Sequence, residues 1–309
     1  MSFPTATPPS LADYQMSYGG LTLGPSTPYQ LDSPQGLDLP AITSGDVPRP
    51  REHGEHKGFD AMIGRDITLP IDVTTDGTSL QSALKTLATA FNPMVMAEQA
   101  LWMKLPNLPV LGTNCRPRKR AWPLDLAWAA GLASVAVQVH ASDPILYGAP
   151  LSASVGLGTP GSGWTAPITF PWTMGGGTAV QSASCANAGN FDSRPILTIN
   201  GPCTSPTVYS TAGWSLQLIN PNQGAGLTVA AGDTLVIDLG PARSVTYYVG
   251  GSGAGASRKN WVVGGSIWPS TQLGIPGLAP GTNSVAFTSQ DASTVAGALS
   301  VSWASAYLI

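Results

Sequence analysis

The stretch RDITLPIDV, residues 65–73, sets the fold class because apolar side chains occupy every second position. In an extended chain successive side chains point to opposite faces, so this alternation indicates a β-strand with one buried face. The residues that share the apolar face are Ile67, Leu69, Ile71 and Val73.

The next stretch, TSLQSALKTLATAF at 78–91, has a different period. Its apolar residues recur every three or four positions, which predicts an amphipathic helix with one buried stripe. The stripe consists of Leu80, Ala83, Leu84, Leu87, Ala88 and Phe91. Thr78 with Gln81 fits a capping box, and Asn92-Pro93 ends the helix.

Further strands are indicated around this pair. SVAVQVH at 134–140 alternates strongly, and ASDPILYG at 141–148 follows with a turn at its Asp-Pro. LTLGPSTPYQL at 21–31 has the character of extended segments broken by a turn, and QALWMKL at 99–105 alternates weakly. The first half of the chain is therefore predicted to be β-rich with one helix.

Composition supports a β-rich protein. The chain has 309 residues, with 36 glycines and 28 prolines. Both residues are costly inside helices and suit short strands joined by turns. Charged residues make up 10%, against roughly 25% in a typical soluble domain. The net charge of −3 gives no overall basic field that would recruit nucleic acid.

Charge is distributed unevenly, which places a domain boundary near residue 150. Residues 151–309 carry eight of the 31 charged side chains, and the stretch 148–164 between the halves is rich in Gly, Ser and Pro. Beyond it, strand-like segments recur about every ten residues, which predicts a sandwich or jelly roll. AAGD at 230–233 is a hairpin-turn signal between two of these strands.

The most charged segment is VPRPREHGEHKG, residues 47–58, and it raises the question of a metal site. His53 and His56 are three apart, but Gly54 and the nearby prolines argue against a helix that would bring them together. No third histidine lies closer than His140. We interpret the segment as a polar turn between strands 37–43 and 65–73.

Basic residues also cluster in CRPRKRAW, residues 115–122, whose tryptophan could stack on a base. Two prolines interrupt the cluster and the whole chain is acidic, so we favour a solvated loop or an edge that forms salt bridges with a neighbouring chain. GLGTPG at 156–161 matches a dinucleotide-binding pattern literally. However, a proline lies inside it and no helix can start after it, so we interpret it as a flexible linker.

No GxSxG, Walker or HExxH motif occurs, and we expect no enzyme, cofactor or metal site. Trp214 and Trp303 lie within alternating strands and are predicted to be core residues. Trp261 and Trp268 flank VVGGSI. Each of them either belongs to the core or stacks on a sugar.

The three cysteines suggest free thiols, although a disulfide between Cys185 and Cys203 is open. The N-terminal 15 residues lack the basic start and apolar stretch of a signal peptide. No uninterrupted apolar window approaches 18 residues, so we expect no membrane span.

The order of these features resembles the distal tail proteins of long-tailed, non-contractile bacteriophages, especially minor tail proteins of phages that infect actinobacteria. In the first half YQLDSPQGLDLPAI, PRPREHG, GRDITLPIDV, the helix and HASDPILYG follow one another. In the second half the series is AGNFDSRPILTINGPCTSPTV, AAGDTLVIDL, SIWPSTQLGIPGLAPGTNSVAF and SVSWASAYL. The resemblance covers roughly residues 25–309. Its most family-like pieces are Gly36–Pro40, His53-Gly54, Gly64-Arg65, Asp143-Pro144, Asn200-Gly201, Gly232-Asp233 and Pro280-Gly281 with Asn283.

The resemblance implies a mainly β protein with an N-terminal arm at 1–24, a β-rich belt domain with one helix at 25–147, a linker at 148–164 and a galectin-like β-sandwich (jelly roll) at 165–309. Six belt domains would close a ring at the tail tip or baseplate and join the tail tube protein to the distal hub or tail-associated protein, with the tape measure protein as a further partner. DNA would pass the channel without specific binding, and the virion tail would be assembled in the host cytoplasm.

On this view the charged segments form contacts between neighbouring subunits. The candidate interface residues are Arg49, Arg51, His53, His56, Arg116, Arg118 and Arg120. The alternative function is a carbohydrate-binding β-sandwich that adheres to cell-surface glycans, with Trp261 and Trp268 as candidate stacking residues.

Overall fold

The computed structural model describes residues 3–75, 79–95, 97–123, 126–157, 181–219, 226–241, 243–263, 277–290 and 296–309. The chain divides into two compact units. The N-terminal unit comprises Phe3–Ala149 and Tyr307–Ile309, and the C-terminal unit comprises Pro150–Ala306.

The N-terminal unit contains most of the first twelve strands and the α-helix. Its elements are β1 (Met16–Tyr18), β2 (Leu21–Leu23), β3 (Tyr29–Leu31), β4 (Ile42–Thr43), β5 (Val47–Pro48), β6 (Glu55–His56), β7 (Ala61–Met62), β8 (Arg65–Thr74), α1 (Leu80–Ala90), β9 (Gln99–Lys104), β10 (Val110–Ala121), a 3-10 turn (Leu126–Ala130), β11 (Leu132–Ala141) and β12 (Leu146–Gly156). The boundary between the two units lies within β12.

Two groups of strands enclose the N-terminal core. In one, β8 pairs antiparallel with β11 over ten residue pairs and with β3 on its other side. In the other, the order is β2–β1–β9–β10. The long strand β10 joins the groups, because its first half pairs with β9 and its second half with β11. The alternation predicted at 65–73 is confirmed: the four apolar side chains of β8 are at most 1% exposed.

Helix α1 covers this core with the predicted apolar stripe. Leu87 and Phe91 are fully buried, and the Phe91 ring stacks on Tyr18 with centroids 4.8 Å apart. The hydroxyl of Tyr29 donates to the carbonyl of Ala83 at 3.1 Å. Burying a leucine or phenylalanine contributes about 1.5–3 kcal/mol, so tertiary packing, and not helix propensity, holds this short helix. Ser79 is the N-cap residue without a side-chain capping hydrogen bond, and the predicted cap residue Thr78 lies outside the described residues.

The C-terminal unit is a pair of sheets around a second core. Its strands are β13 (Ser182–Asn187), β14 (Ile196–Asn200), β15 (Cys203–Thr204), β16 (Thr207–Ser210), β17 (Ser215–Leu218), β18 (Thr228–Val229), β19 (Thr234–Asp238), β20 (Ser244–Tyr248), β21 (Ala256–Ser257), β22 (Val262–Val263), β23 (Gly281–Thr288) and β24 (Ala298–Tyr307); short 3-10 turns are Val249–Gly251 and Lys259–Trp261. One sheet has the order β12–β24–β14–β19–β20–β21 and the other β13–β23–β16–β17–β22. A mainly β protein with a single α-helix in its described parts is thus confirmed.

Two tryptophans hold the C-terminal core together. Trp214 and Trp303 are 4% and 3% exposed, as the strand patterns predict. Each indole N–H donates to a backbone carbonyl, to Gly277 at 2.7 Å and to Ala186 at 2.8 Å. A buried polar group without a partner would be costly, so these hydrogen bonds allow the rings to be fully packed.

Four details of the fold differ from the sequence-based expectations. The segment 1–24, predicted as an arm, forms β1 and β2 and buries Phe3, Met16, Tyr18 and Leu23. The stretch 148–164, predicted as a linker, begins as strand up to Gly156, and its residues from 158 onward lie outside the described parts.

The interpretation of CRPRKRAW as a loop is wrong, because the stretch lies mainly in β10. The register shifts between Pro117 and Lys119, and such an irregularity lets a proline sit in a strand. The turn at AAGD exists, with the Asp233 N–H donating to Ala230 at 3.1 Å. The hairpin predicted there is wrong: β18 pairs with β15 and β19 pairs with β14 and β20, so the two strands belong to different sheets.

Candidate assembly surface

The charged segment singled out in the sequence is the end of a β-hairpin formed by residues 41–63. Near its base β4 pairs with β7, and nearer the tip β5 pairs with β6. The Arg49 N–H donates to the carbonyl of Gly54 at 3.0 Å and closes the turn, in which Arg51 has a left-handed φ of 67°. We call residues 41–63 the 41–63 hairpin.

Nearly every side chain of the 41–63 hairpin is exposed to solvent. Large apolar side chains in and beside it are between 49% and 59% exposed: Leu39, Ile42, Val47, Phe59 and Ile63. They are five of the thirteen large hydrophobic residues that are exposed in the described parts of the chain. A concentration of this kind marks a surface for a partner, because isolated exposed apolar residues are common but clusters are not.

Hydrogen bonds inside the hairpin define its shape without core packing. The Asp46 carboxylate accepts from the Gly58 N–H at 2.7 Å, and the Gly45 N–H donates to the carbonyl of Phe59 at 3.1 Å. The Gly58 N–H, followed by the Ser44 hydroxyl, holds the pKa of Asp46 below its usual value. A Cβ on Gly58 would collide with the backbone of Gly45, so the two strands approach closely only with glycine here. The hairpin is therefore ordered by its backbone while its side chains remain unpacked.

The hairpin is attached to the core through Arg65, which is 3% exposed. Its Nε donates to the carbonyl of Pro144 at 3.1 Å, and Nη1 donates to the carbonyls of Leu37 at 2.5 Å and Gly36 at 3.4 Å. Gly36 has φ +81°, and a Cβ there would collide with the carbonyl of Asp66. Burial lowers the pKa of Arg65, and the charge of Asp38 opposes that shift.

The predicted interface residues lie on two elements. Arg49, Arg51, His53 and His56 are all at the exposed end of the 41–63 hairpin. Arg116, Arg118 and Arg120 lie on β10, where Arg118 is exposed and the other two are half-buried.

Arg120 already has a structural role. Its Nη1 donates to the carbonyl of Ala88 near the C-terminus of α1 at 2.9 Å, and its guanidinium lies 4.7 Å from the centre of the Trp122 ring. A cation at this end of a helix is favourable because the last carbonyls carry partial negative charge. Sequence reasoning named His140 only as a distant histidine and missed its contact: its Nδ1 lies 2.7 Å from the Asp66 carboxylate across the β8–β11 ladder.

Of the two candidate stacking residues, Trp261 is partly buried against the C-terminal core and Trp268 lies outside the described residues. The Arg258 guanidinium covers the Trp261 ring at 4.6 Å from its centre and also lies 5.9 Å from the Tyr247 ring. One face of the Trp261 ring is thus already occupied by a cation.

The carboxylate of Asp233 accepts hydrogen bonds from the Tyr247 hydroxyl and from the Gly250 N–H, the latter at 2.8 Å. These two donors, the hydroxyl first, hold the pKa of Asp233 below its usual value. Burial, with the neighbouring Asp233, raises the pKa of Tyr247. The hydrogen bonds of Asp233 join the turn after β18 to Tyr247 on β20 and to Gly250 in the 3-10 turn that follows β20.

The described residues hold no group of three or more His, Cys, Asp or Glu side chains that could bind a metal. All three cysteines are buried and no disulfide joins them. Burial raises the pKa of Cys185 to about 11 and that of Cys115 still further. Since the thiolate is the reactive form, these thiols are poor nucleophiles. Within the parts that the structure describes, no helix has the length and apolar character to cross a membrane.

The C-terminal unit has a polar cavity of about 370 Å³ on the sheet that contains β16, β17 and β23. Thr207 lies between Gln217 and Thr288 in the strand register, so the three side chains form a row across the sheet. Among the described residues, the lining contains no charged side chain: it consists of Ser205, Thr207, Gln217, Ile219, Gly226, Thr288, Ser289 and Gln290. Hydroxyl and amide groups of this kind can hydrogen-bond a neutral polar ligand.

Comparison with known proteins gives a likeness of structure. No protein-family model and no curated protein matches the chain. Among solved structures, the Dit protein of phage SPP1, described as a paradigm of the hub adsorption apparatus in phages that infect Gram-positive bacteria, matches with a TM-score of 0.57 and 12% identity over 94% of this chain and 98% of that one. A chain of the phage P2 baseplate in its activated conformation with Ca matches with a TM-score of 0.46 and 8% identity over 94% and 97% of the two chains. The resemblance inferred from the sequence is confirmed at the level of the fold: this chain has the fold of the SPP1 Dit protein.

Proposed function

We propose that this protein is a structural component of a bacteriophage tail tip or baseplate. Six copies would form a ring through their N-terminal units and join the tail tube to the distal hub proteins. The observation that carries the proposal is the likeness to the SPP1 Dit protein, because it extends over 94% of this chain and 98% of that one, both units included.

The surface of the N-terminal unit supports self-association. An exposed apolar hairpin on one side of a subunit fits a contact with a different surface of the next copy, and such head-to-tail contacts close into a ring when the rotation permits. The charges of Arg49, Arg51, His53 and His56 would fix the register of this contact more than its strength. None of these roles requires a reactive group, so the proposal is of a protein that is not an enzyme.

The partners follow from the same proposal. They are further copies of this chain, the tail tube protein, the distal hub or tail-associated protein and the tape measure protein. The protein would be located in the virion tail after assembly in the host cytoplasm. A net charge of −3 suits a channel wall that lets DNA pass without specific binding.

Native mass spectrometry with negative-stain microscopy tests the ring. Six copies of the 31.7 kDa chain give roughly 190 kDa, and we expect this species with six-fold images at micromolar concentration. Ile42→Ser and Phe59→Ser remove exposed apolar surface from the hairpin and should shift the population toward monomer without lowering the melting temperature, because neither side chain packs in a core. Val249→Ser, at an exposed apolar residue of the C-terminal unit, is the matched control and should assemble normally. Wild-type protein that stays monomeric at every concentration would refute the proposal.

A second candidate function, binding of neutral cell-surface carbohydrate, is favoured by the uncharged polar cavity of the C-terminal unit. Its row of Gln217, Thr207 and Thr288 offers donors and acceptors without the charge that would select ionic ligands. Glycan-array binding that is lost in Gln217→Ala and retained in Ser252→Ala would support this function. A glycan array on which the wild-type protein binds no carbohydrate would refute this second function.

A further inference from the structure

A shallow apolar groove lies on the solvent face of the N-terminal unit. It has a volume of about 490 Å³ and is lined by Pro70, Asp72, Ala121, Trp122, Pro123 and Ala136, among others. We call it the Trp122 groove. Its volume is within the range of roughly 300–1,000 Å³ that is usual for binding pockets.

Strand register explains why this groove faces solvent. Pro70 pairs with Ala136, and Ala136 pairs with Ala121, so a proline and two alanines form a row of compact side chains across β8, β11 and β10. Neighbouring positions on the strands, such as Ile71 and Val135, point into the core. The row therefore forms the floor of the groove on the outer face, and Trp122 lies beside it.

The groove contains an exposed carboxylate that forms no ion pair within the described parts of the chain. Asp72 accepts a hydrogen bond from the Ser134 hydroxyl at 2.5 Å. The ion pairs of the described residues involve other side chains, Lys104 with Asp13 and His140 with Asp66. Asp72 is thus available to a cation from another molecule.

The end of the 41–63 hairpin has the complementary chemistry. Val47 is 59% exposed, and Pro48, Arg49, Pro50 and Arg51 are exposed beside it. Val47–Pro48 is already extended as strand β5, and Arg49–Arg51 belong to the closed turn that follows, so the tip has its shape before it meets a partner. Proline at 48 and at 50 fixes its own φ and restricts the preceding residue, which supports this shape. Extended proline-containing segments bind grooves that contain aromatic side chains, at a low cost in conformational entropy.

We propose that Val47–Arg51 of one copy docks into the Trp122 groove of a second copy, with the prolines on the floor formed by Pro70, Ala136 and Ala121 beside Trp122, and an arginine at Asp72. The inference rests on the proposed function, since it names the two surfaces that meet in the ring. The tip and the groove are different surfaces of the same unit, so the contact is heterologous and each copy both gives a hairpin and receives one.

Cysteine cross-linking tests the contact directly. Val47→Cys and Ala136→Cys are introduced into separate chains, which are co-expressed and oxidised, and the native cysteines contribute little because all three are buried. We expect a disulfide-linked dimer that contains one chain of each kind, and a ladder of larger species when both changes are in one chain. Val249→Cys in place of Val47→Cys is the control, and it should give no dimer above background.

Charge reversal provides a second test. Asp72→Lys should raise the concentration needed for half-assembly by about fivefold, which is the order expected for one exposed ion pair. Adding Arg49→Glu to the same chain should restore part of the loss, and Asp192→Lys in the C-terminal unit should have no effect. Rings of normal mass that neither cross-link nor respond to Asp72→Lys would overturn this inference and leave the proposed function standing. Absence of rings in the wild-type protein would overturn both.

Discussion

Replacement of Arg65 tests how the 41–63 hairpin is attached to the core. Arg65→Met keeps most of the length and apolar stem of the side chain but removes all five of its N–H donors. The carbonyls of Leu37, Gly36 and Pro144 then lose their partner in a site where the side chain is only 3% exposed. We therefore expect a loss of stability that is confined to the N-terminal unit.

The expected loss of folding free energy follows from the lengths of the lost hydrogen bonds. The bonds to Leu37 and Pro144, at 2.5 and 3.1 Å, are charge-assisted, and such bonds contribute about 1.5–3 kcal/mol each. The bond to Gly36, at 3.4 Å, adds little. Removing a charge from a buried site returns part of its desolvation cost, which offsets the loss. The free energy of unfolding of the unit should fall by about 2–4 kcal/mol, or about 10 °C in melting temperature for a domain of this size.

Thermal unfolding and hydrogen exchange measure the two parts of this expectation. The melting temperature reports the loss of stability, and faster amide exchange around residues 36–38 and 144–146 reports release of the hairpin root. Arg118→Met is the matched control, because Arg118 is exposed on β10, and its replacement should change stability by less than about 0.5 kcal/mol. If Arg65→Met melts within about 2 °C of wild type, the reasoning that Arg65 anchors the hairpin is wrong.

Three further predictions follow from the described contacts. Leu87→Ala, at a fully buried position of α1, should lower the free energy of unfolding by about 3 kcal/mol in a denaturant titration, whereas Thr86→Ala on the exposed side of the same helix should not destabilise the protein. A thiol-reactive dye should label no cysteine of the native protein within minutes and three after denaturation without reductant; a single labelled cysteine after denaturation would reveal a disulfide. The Tyr247 hydroxyl and the Gly250 N–H hold the pKa of Asp233 below its value in the unfolded chain. The carboxylate therefore stabilises the fold at pH values above the unfolded pKa, and this stabilisation is lost as the pH falls through the folded pKa. Asp233→Asn should therefore melt below wild type at neutral pH and approach it in acid below the folded pKa of Asp233, while Asp192→Asn should differ from wild type at neither pH. A difference between Asp233→Asn and wild type that does not change with pH would contradict the linkage.

Local periodicity predicted the elements whose packing agrees with their own sequence. The strand at 65–73, the strand at 134–140 and the helix at 78–91 all bury the faces that their apolar residues define. Each signal is contained in about ten residues, so the rest of the chain is not needed to interpret it. The core positions of Trp214 and Trp303 follow for the same reason.

Elements that depend on distant partners could not be predicted in this way. CRPRKRAW lacks an apolar alternation, yet it is a strand because the regular strand β11 pairs with Arg116–Ala121 and β9 pairs with the part of β10 that leads into it. Met16–Tyr18 and Leu21–Leu23 have three residues each, too few for a period, and they are held by pairing with β9 and with each other. AAGD has the composition of a hairpin turn, but the sheets that receive the strands on either side of it are set by residues far along the chain.

The position of the charges argues for recognition between preformed surfaces. Seven of the 31 charged residues lie within residues 46–60, and they comprise three cations and four anions. A hairpin with nearly balanced charge attracts no partner over a long distance, because the opposite signs cancel beyond a Debye length of about 8 Å. Its charges act only once the surfaces are close, where they reject a wrong register, while exposed side chains such as Val47 and Phe59 supply the apolar area that gives affinity. The groove, with its small-residue floor and one carboxylate, and the preformed hairpin tip, with its prolines and arginines, would divide these two tasks in the same way: apolar contact gives affinity and the charges give register.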